Sequence, residues 1–428
     1  MKNETAGTLA GRRLLVAASG SIAAVKTPLL VSALVKAGAE VRCVVTPSAA
    51  KLVSPLALAS LSRNRCYQDE DQWNPSEPRP LHIALAEWAE LVVVAPLSAS
   101  SLGRWSQGLG DGLLASILLA CERPVVVAAA MNTGMWSSPA VQRNWQYLKD
   151  DPKVLPLAPE AGLLACDRLG EGRMAAPELI ELAVLSGLLQ ADQAGHLRRD
   201  WSGRRLLVTA GPTVESLDPA RLLSNRSSGR MGVLLAQAAR LRGACVDLVH
   251  GPVNVPEAWL EGLTLHPVGS ARQMQSVLAA LQSQADAVAM AAAVADLRLA
   301  DGPQVQKTSK DCLLASLATG LELVPDLLAE LVGNRPEGQV VLGFAALTGD
   351  DAEVQKLGAA KRLLKGCDLL FANPIDRPGQ GFEENANGGW LVGADGIARA
   401  LPVTSKLVLA HQLLDALQEI PKTSSAAF

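Results

Sequence analysis

Two apolar runs in this chain begin in the same way. GRRLLVAASGS occupies residues 11–21, and GRRLLVTAGPT occupies residues 203–213. Each has the length of a buried parallel strand and gives way to small residues where a helix can begin. The repeat predicts two units that start with the same element, the second of them near residue 203.

Short apolar runs alternate with helical patterns in both units. The runs are RLLVAAS, AEVRCVVT, ELVVVAPLS, PVVVAAAM and KVLPLAP in the first unit, and RRLLVTAG, ACVDLVHG, DAVAMAAAV, VVLGFAAL and DLLFANP in the second. This alternation predicts an α/β protein with two Rossmann-like three-layer domains, whose ligands bind at the carboxyl ends of the strands.

Two patterns mark the ends of the units. PELIELAVLSGLLQ (177–190) predicts an amphipathic helix that closes the first unit, and GGWLVGADGIARALP predicts a hairpin with an Asp-Gly turn, followed by a C-terminal helix. The polar stretch QADQAGHLRRDWSG has no pattern. We therefore expect domains at 1–190 and 203–428, joined by a linker at 191–202, which suits a chain too long for one core.

Composition narrows the class of protein. The 428 residues are 49% hydrophobic with a formal net charge of -3, so no global charge attracts nucleic acid. The seven cysteines form no CxxC pair, which argues against structural zinc and disulfides. Because there is neither a signal-peptide pattern nor an apolar run of membrane-spanning length, we expect a cytoplasmic protein without membrane partners.

Cys166 lies in GLLACDRLGEGRM, a segment rich in glycine. Such a segment predicts a flexible loop rather than a helix or a packed strand. The ordinary interpretation of the cysteine is a small buried apolar residue.

Several motifs of the first half come directly after strands. GSIAAVK (20–26) opens a helix, where free N–H groups favour a phosphate, and APLSASS (95–101) and AAAMNTGMW (128–136) leave room for a flat ligand. Each has an ordinary alternative: Met131 suits a core, and His82 in HIALAEWAE suits a surface or capping position.

The order GSIAAVK, HIAL, APLSA, AMNTGMW and LACDRLGEGRM resembles the flavoprotein cysteine-decarboxylase family. The resemblance implies a flavodoxin-like, homo-oligomeric flavoprotein fold, with flavin mononucleotide (FMN) as cofactor and a lid that carries Cys166 as proton donor. It places His82 and Asn132 in the active site. It assigns FMN to Gly20, Ser21, Ile22, Thr46, Ser98 and Met131. Two positions depart from the family pattern, because Ala129 replaces a proline and Asp111-Gly112 replaces an Asn-Asp pair.

The second half contains TAGPTVESLDPARLLSNRSSGRMG (209–232), followed by MAAAVAD, VPDLL, GFAA, AAKRLLKGCDLLFAN and GQGFEENAN. This series is similar to the ligase half of the bifunctional phosphopantothenoylcysteine decarboxylase/phosphopantothenate–cysteine ligase family. The resemblance implies a Rossmann-like ligase fold that uses CTP and Mg²⁺, with Arg221 and Asn225 as catalytic residues and Asp296 also at the metal. It assigns the nucleotide to Met290, Ala291, Ala292, Asp296, Val324, Pro325, Asp326, Leu327, Phe344, Lys361 and Lys365. The two lysines lie four residues apart, so they share one face of a helix.

The whole resemblance implies a coenzyme A biosynthesis enzyme. CTP-dependent condensation of 4'-phosphopantothenate with cysteine, through an acyl-cytidylate, would precede FMN-dependent decarboxylation of 4'-phosphopantothenoylcysteine to 4'-phosphopantetheine. The family implies a homo-oligomer, with trimers of the flavin domain and dimers of the ligase domain.

The ligase half also departs from the family pattern. Gln304 and Gln306 replace lysines, so that Lys307 and Lys310 are the cations left in this run, while Leu347 replaces a glutamate and Asn373-Pro374 an Asn-Asp pair. An alternative is therefore a flavin-binding regulatory or scaffold homologue with weakened or lost ligase activity. A third hypothesis, an NAD-dependent oxidoreductase, lacks the GxGxxG motif that it needs.

Overall fold

The computed structural model describes residues 7–76, 78–165 and 167–421. It divides into two compact units, Met1–Arg199 and Asp200–Phe428. Each unit contains a mainly parallel sheet flanked by helices, which confirms the predicted α/β class.

The sheet of the first unit has six parallel strands in the order β3-β2-β1-β4-β5-β6. Its strands run almost wholly through buried residues, because helices cover both faces. They are β1 Arg13–Ala18, β2 Glu40–Val45, β3 Cys66–Tyr67, β4 Leu91–Leu97, β5 Val125–Ala129 and β6 Val154–Leu157. The order reverses between β1 and β4, and such a switch point is where open α/β sheets bind ligands.

Two groups of helices flank this sheet. Alternate strand residues such as Leu15 and Ala17 pack in one core with α3, α4, α5 and α7, while α1 and α8 pack together over the other face. The helices are α1 Thr27–Lys36, α2 Pro55–Ser62, α3 Leu81–Trp88, α4 Ala99–Ser106, α5 Leu113–Ala120, α6 Thr133–Trp136, α7 Pro139–Asp150 and α8 Pro177–Gln190.

The prediction that α8 is amphipathic is wrong. Ten of its fourteen residues are buried, including Glu181 and Ser186, because the helix packs on β4, β5 and β6 and also against α1. Its polar residues are bonded within the interior, as when Gln190 Nε2 donates to Ser186 Oγ at 2.7 Å.

The glycine-rich segment forms a hairpin rather than the expected irregular loop. Strands β7 Glu160–Leu163 and β8 Leu169–Arg173 pair antiparallel, with Gly162 opposite Gly170. Cys166 lies outside the described residues. The ladder of backbone hydrogen bonds organises this segment despite its weak strand propensity.

Residues 191–199, expected as part of a linker, pack on the first unit. Leu197 is buried and its N–H donates to Pro152 O at 2.8 Å. The Arg199 guanidinium donates to Asp151 O at 2.7 Å and to Val154 O at 3.0 Å. The boundary between the two compact units falls after Arg199 in the sequence.

The sheet of the second unit has eight strands in the order β13-β12-β9-β14-β17-β18-β19-β20. The first six are parallel, and β19 and β20 are antiparallel. The strands are β9 Arg205–Ala210, β12 Cys245–His250, β13 Thr264–Pro267, β14 Ala287–Met290, β17 Val340–Leu347, β18 Leu369–Pro374, β19 Ala386–Val392 and β20 Ala398–Ser405. The predicted Asp-Gly turn between β19 and β20 is confirmed, with Gly396 at φ 75°.

Two short ladders and six helices complete this unit. The ladders pair β10 Val214–Asp218 with β11 Arg221–Ser224, and β15 Leu297–Leu299 with β16 Leu321–Leu323. The helices are α9 Arg230–Leu241, α10 Ala271–Leu281, α11 Lys310–Thr319, α12 Leu327–Gly333, α13 Asp351–Lys365 and α14 Lys406–Glu419. Among the described residues, none of the helices is both long and apolar enough to cross a membrane.

Candidate functional site

An apolar cavity of about 490 Å³ opens at the carboxyl ends of β1, β4 and β5. Its walls come from the turn after β1, the start of α4, the segment after β5 and the β7–β8 hairpin. The lining residues are Gly20, Ser21, Ile22, Ala23, Val25, Lys26, Ser98, Ala99, Ser100, Ala130, Met131, Asn132, Met135, Leu163, Leu164, Ala165, Gly172, Arg173 and Met174. Three strand-end motifs and the glycine-rich segment therefore meet here, and the strand-end motifs lie where those of a parallel sheet should.

Gly20 makes a close approach that no larger residue allows. A Cβ atom at this position would lie 2.6 Å from Ser48 Cβ. Thr46 and Ser48, which follow β2, line a smaller neighbouring cavity that shares Gly20 and Ser98 with the apolar cavity. The turn after β1 is thus packed directly on the turn after β2.

Two buried hydroxyl groups fix the end of β4. Ser19 Oγ donates to Pro96 O at 2.8 Å and accepts the Ser98 N–H at 2.7 Å. Thr27 Oγ1 donates to Ala95 O at 2.8 Å. The sequence analysis did not single out either residue, because the contacts span 68 to 79 residues.

Ser98 and Asn132 each cap a helix at the edge of the apolar cavity. Ser98 Oγ accepts the Ser101 N–H at 3.3 Å, and Asn132 Oδ1 accepts the Gly134 N–H at 2.9 Å. Since Oδ1 is bonded to the backbone, the Nδ2 end of the Asn132 amide is the end suited to donate to a ligand.

The β7–β8 hairpin is attached to the segment after β5 at its base. The Met131 N–H donates to Gly172 O at 3.1 Å, and Trp136 Nε1 donates to Glu171 Oε2 at 3.2 Å. These bonds hold the strands that flank the Cys166 turn beside Asn132. Glu171 was also not singled out from the sequence.

The smaller cavity, of about 270 Å³, is polar. Arg104 Nε lies 3.1 Å from Asp111 Oδ1, and Asp69 Oδ1 accepts the Leu113 N–H at 3.2 Å. Burial raises the pKa of Asp69, against the opposing effect of that backbone hydrogen bond. Asp69 Oδ2 lies 3.0 Å from where a Cβ of Gly112 would stand, so the departure at Gly112 leaves room for the Asp69 carboxylate.

His82 is the second residue of α3 and is half-buried. It lines neither cavity of its own unit. The structure therefore does not bring His82 together with Asn132 within one copy of the chain.

The second unit has a cavity of about 340 Å³ at the ends of β14 and β17, called here the lysine cavity. Its lining residues are Met290, Ala292, Val294, Ala295, Asp296, Leu323, Val324, Pro325, Asp326, Leu327, Leu328, Phe344, Ala345, Lys361, Lys365 and Leu370. Four separate motifs of the sequence converge on it. Ala291, from the first of these motifs, is not among the lining residues.

Asp326 forms an ion pair with Lys365 in the lysine cavity. Asp326 also caps α12, because its Oδ1 accepts the Ala329 N–H at 3.1 Å. Burial alone would raise the pKa of Asp326, but the bond and charge of Lys365 together with the capped backbone bring it below its ordinary value. The carboxylate therefore stays ionised and holds the lysine.

Two threonines of the Gly-Pro-Thr strand end support the wall of the lysine cavity. Thr209 Oγ1 accepts the Ala292 N–H at 2.9 Å, and Thr213 Oγ1 accepts the Ala295 N–H at 2.9 Å. Both threonines are fully buried. They fix the segment that leads to Asp296.

Asn225 and Arg221 lie outside the lining of the lysine cavity. Asn225 Nδ2 donates at 2.9 Å to the carbonyl oxygen of Val294, which is itself a lining residue, whereas Arg221 Nη2 donates to Thr308 O at 2.8 Å. The Arg221 contact joins the β10–β11 ladder to the segment that carries Lys307 and Lys310. Both lysines are exposed and line none of the described cavities.

Among the described residues, no group of three histidine, cysteine, aspartate or glutamate side chains could hold a metal ion. Two carboxylates, Asp296 and Asp326, line the lysine cavity, and because Asp326 is paired with Lys365, Asp296 is the candidate metal ligand of the two. Such a residue suits an ion that takes its other ligands from water and from substrate phosphates.

Comparisons with known proteins cover both units. The family described as "Flavoprotein" matches residues 2–186, and the family described as "DNA/pantothenate metabolism flavoprotein C-terminal domain" matches residues 201–420. Two solved structures are similar to parts of the chain. A PPC decarboxylase variant complexed with pantothenoylaminoethenethiol is 40% identical and covers 41% of this chain and 96% of its own, with a TM-score of 0.38. The C-terminal domain of a coenzyme A biosynthesis bifunctional protein is 30% identical and covers 51% and 96%, with a TM-score of 0.41.

One relative extends over both units. The coenzyme A biosynthesis bifunctional protein CoaBC of Bacillus subtilis is 36% identical over 421 residues, which are 97% of this chain and 98% of the relative. The chain therefore belongs to the family of coenzyme A biosynthesis bifunctional proteins.

Proposed function

We propose that the chain carries out two consecutive steps of coenzyme A biosynthesis. The second unit joins 4'-phosphopantothenate to cysteine with CTP, and the first unit decarboxylates the product, 4'-phosphopantothenoylcysteine, to 4'-phosphopantetheine. The observation that carries this proposal is the match to a bifunctional relative along 97% of the chain, through both units.

The apolar cavity fits FMN. Its volume of about 490 Å³ lies within the usual range for cofactor sites, and its walls are mainly apolar with a few polar groups among them. The bare backbone of Gly20 lets the turn after β1 pack closely on the turn after β2, next to the helix start that favours a phosphate. Gly20, Ser21, Ile22, Ser98 and Met131 would hold FMN from this cavity. Thr46 would contribute from the polar side.

When bound, FMN supplies the reversible oxidation of the substrate thiol that gives the departing carboxylate an electron sink. Asn132 binds that carboxylate through Nδ2, because its Oδ1 is bonded to Gly134 N. An amide orients the carboxylate without adding positive charge. Cys166, which lies outside the described residues, donates the proton that completes the reaction, and closure of the glycine-rich segment excludes water.

His82 acts on the cavity of a neighbouring copy. It lines neither cavity of its own unit, while Ile22, Val25 and Leu29 stand exposed at or beside the apolar cavity. Exposed apolar side chains beside a site are typical of a surface that a partner covers. We propose that the flavin unit forms trimers, in which one copy supplies His82 to the cavity of another, and that the ligase unit forms dimers.

This assignment is testable by complementation. His82→Asn and Asn132→Ala variants are each expected to be inactive in decarboxylation, and the two co-expressed with different tags and purified through both should regain part of the activity. A mixed assembly as inactive as its parents would refute a site shared between copies.

The lysine cavity fits the nucleotide. Met290, Ala292 and Phe344 offer apolar contacts to a base, and Lys361 and Lys365 supply two cations for phosphates from one face of α13. Val324, Pro325, Asp326 and Leu327 form the facing wall. Ala291 stands in the sequence between two lining residues, Met290 and Ala292, and we keep its assignment to the base.

The ligase step needs the substrate carboxylate to attack the α-phosphorus of CTP. Pyrophosphate leaves, an acyl-cytidylate forms, and the amine of cysteine then attacks the acyl carbon and displaces CMP. Asn225, which is bonded to Val294 O, would steady the acyl oxygen, and Arg221 would hold the adjacent segment with Lys307. Asp296 would be a ligand of Mg²⁺, an ion that would supply positive charge against the triphosphate.

Two lysines of α13, one inside the lysine cavity and one outside it, give a matched test of the ligase. Lys361→Gln should raise the KM for CTP by roughly 10- to 100-fold, the worth of a lost charge-assisted bond. Lys356→Gln, on the same helix but outside the cavity, should leave it unchanged. Both variants should decarboxylate added 4'-phosphopantothenoylcysteine at the wild-type rate. An absence of CTP-dependent pyrophosphate release from the wild type would favour the scaffold alternative.

A further inference from the structure

The apolar cavity contains two cations and no acid. Lys26 and Arg173 line it, and none of its lining residues is aspartate or glutamate. Neither cation forms an ion pair with any residue that the structure describes. Arg173 is exposed and Lys26 is half-buried, so both charges lie at the open side of the cavity, where a bound anion can reach them.

The place of Arg173 depends on a glycine across the hairpin. A Cβ at Gly162 would lie 2.5 Å from Arg173 Nη1 and 2.8 Å from its Cδ. The side chain of Arg173 therefore crosses the hairpin over the bare backbone of Gly162, which has φ 154°. The opposite residue in register, Glu160, accepts the Ala176 N–H at 3.3 Å through its Oε1.

The reacting carboxylate is a poor partner for these cations. A guanidinium bound to it would stabilise the ground state, and that stabilisation is lost as neutral CO₂ departs, so the reaction would slow. A phosphate remote from the reacting carbon keeps its charge throughout the reaction. Binding it therefore stabilises the ground state and the transition state equally and does not slow the reaction.

We propose that Arg173, with Lys26 as a second cation, binds the phosphate monoester of the decarboxylase substrate. This inference rests on the proposed function of the first unit. Arg173 stands on β8, whereas the residues assigned to the flavin after β1 and β4 are Gly20, Ser21, Ile22 and Ser98. The guanidinium can bind the phosphate through two parallel N–H groups. FMN also carries a phosphate monoester, and the experiment distinguishes binding of that phosphate from binding of the substrate phosphate.

The test compares 4'-phosphopantothenoylcysteine with pantothenoylcysteine in steady-state decarboxylation by full-length protein loaded with FMN. Arg173→Gln should raise the KM for the phosphorylated substrate by roughly 10- to 100-fold, while its kcat and all constants for the dephosphorylated substrate stay within twofold. Arg143→Gln, on the exposed face of α7, is the matched control and should behave as wild type.

Two further variants and a flavin titration separate the remaining outcomes. Arg173→Lys should recover part of the preference, and Gly162→Ala, which displaces the guanidinium, should reproduce the KM effect if Arg173→Gln fails to fold. The affinity for FMN relative to riboflavin should not change.

An unchanged substrate preference in Arg173→Gln, or an equal loss with both substrates, would overturn the inference. So would a selective loss of FMN affinity, which would assign Arg173 to the flavin phosphate. A wild type that decarboxylates neither substrate would overturn the proposed function, and the inference with it.

Discussion

Gly20→Ala tests whether close packing of the turn after β1 makes the flavin site. The new Cβ would stand 2.6 Å from Ser48 Cβ, whereas two carbon atoms are at their optimum at about 3.5–4.0 Å. One of the two turns must therefore move by roughly 1 Å. Overpacking of this kind costs about 1–3 kcal/mol, and we expect FMN affinity to fall by roughly 5- to 150-fold.

Removing the opposing side chain should reverse the effect. Ser48→Gly takes away the atom that Gly20→Ala meets, so the double variant should regain most of the FMN affinity. Gly103→Ala is the matched control, because its Cβ would meet only Asn144 Nδ2 at 3.8 Å. Affinity is measured by quenching of FMN fluorescence during titration of apoprotein.

The double variant also decides how the result is interpreted. Wild-type affinity in Gly20→Ala would refute the steric reasoning. Weakened affinity that Ser48→Gly fails to restore would show that the loss does not come from this contact.

Two predictions concern stability and thiol chemistry. Arg242 is fully buried and bonded to Asp200 and Asp415. Arg242→Met should therefore destabilise the second unit by about 3–5 kcal/mol, measured by urea unfolding. A loss below about 1 kcal/mol would contradict a paired buried charge. Burial raises the pKa of Cys43 and of Cys66 to about 12. Both thiols should therefore resist alkylation by iodoacetamide at about pH 8 in the native protein. If the native protein were alkylated as fast as the urea-unfolded protein, this burial would be contradicted. Because these thiols stay protonated in the native state but ionise near pH 9 when unfolded, their contribution to stability should be complete below pH 9 and decline as the pH rises towards 12.

The parallel strands were predictable because their signal is local. Each strand is a continuous apolar run that ends in small residues, as in RLLVAAS before Gly20, and burial on both faces imposes that composition. The spacing of Lys361 and Lys365 likewise predicted a shared helix face, and both line one cavity. The local pattern of residues therefore predicts secondary-structure elements and the residues that share one face of a helix.

Contacts between distant segments were not predictable in this way. The Asp326–Lys365 ion pair joins residues 39 apart, and the Ser19 hydroxyl bonds to a strand end 77 residues away. The β7–β8 hairpin depends on backbone pairing and on the bond from Trp136 to Glu171, neither of which leaves a pattern in a glycine-rich segment. Tertiary context overrode propensity there.

The central claim is that each unit binds its own ligand at the carboxyl ends of its parallel strands. A crystal structure of the full chain grown with FMN and CTP tests it most directly. The account predicts flavin density against Gly20 and Met131, and nucleotide density against Phe344 and Lys361. Flavin or nucleotide bound away from these strand ends, with the apolar cavity or the lysine cavity left open in the same crystals, would contradict it.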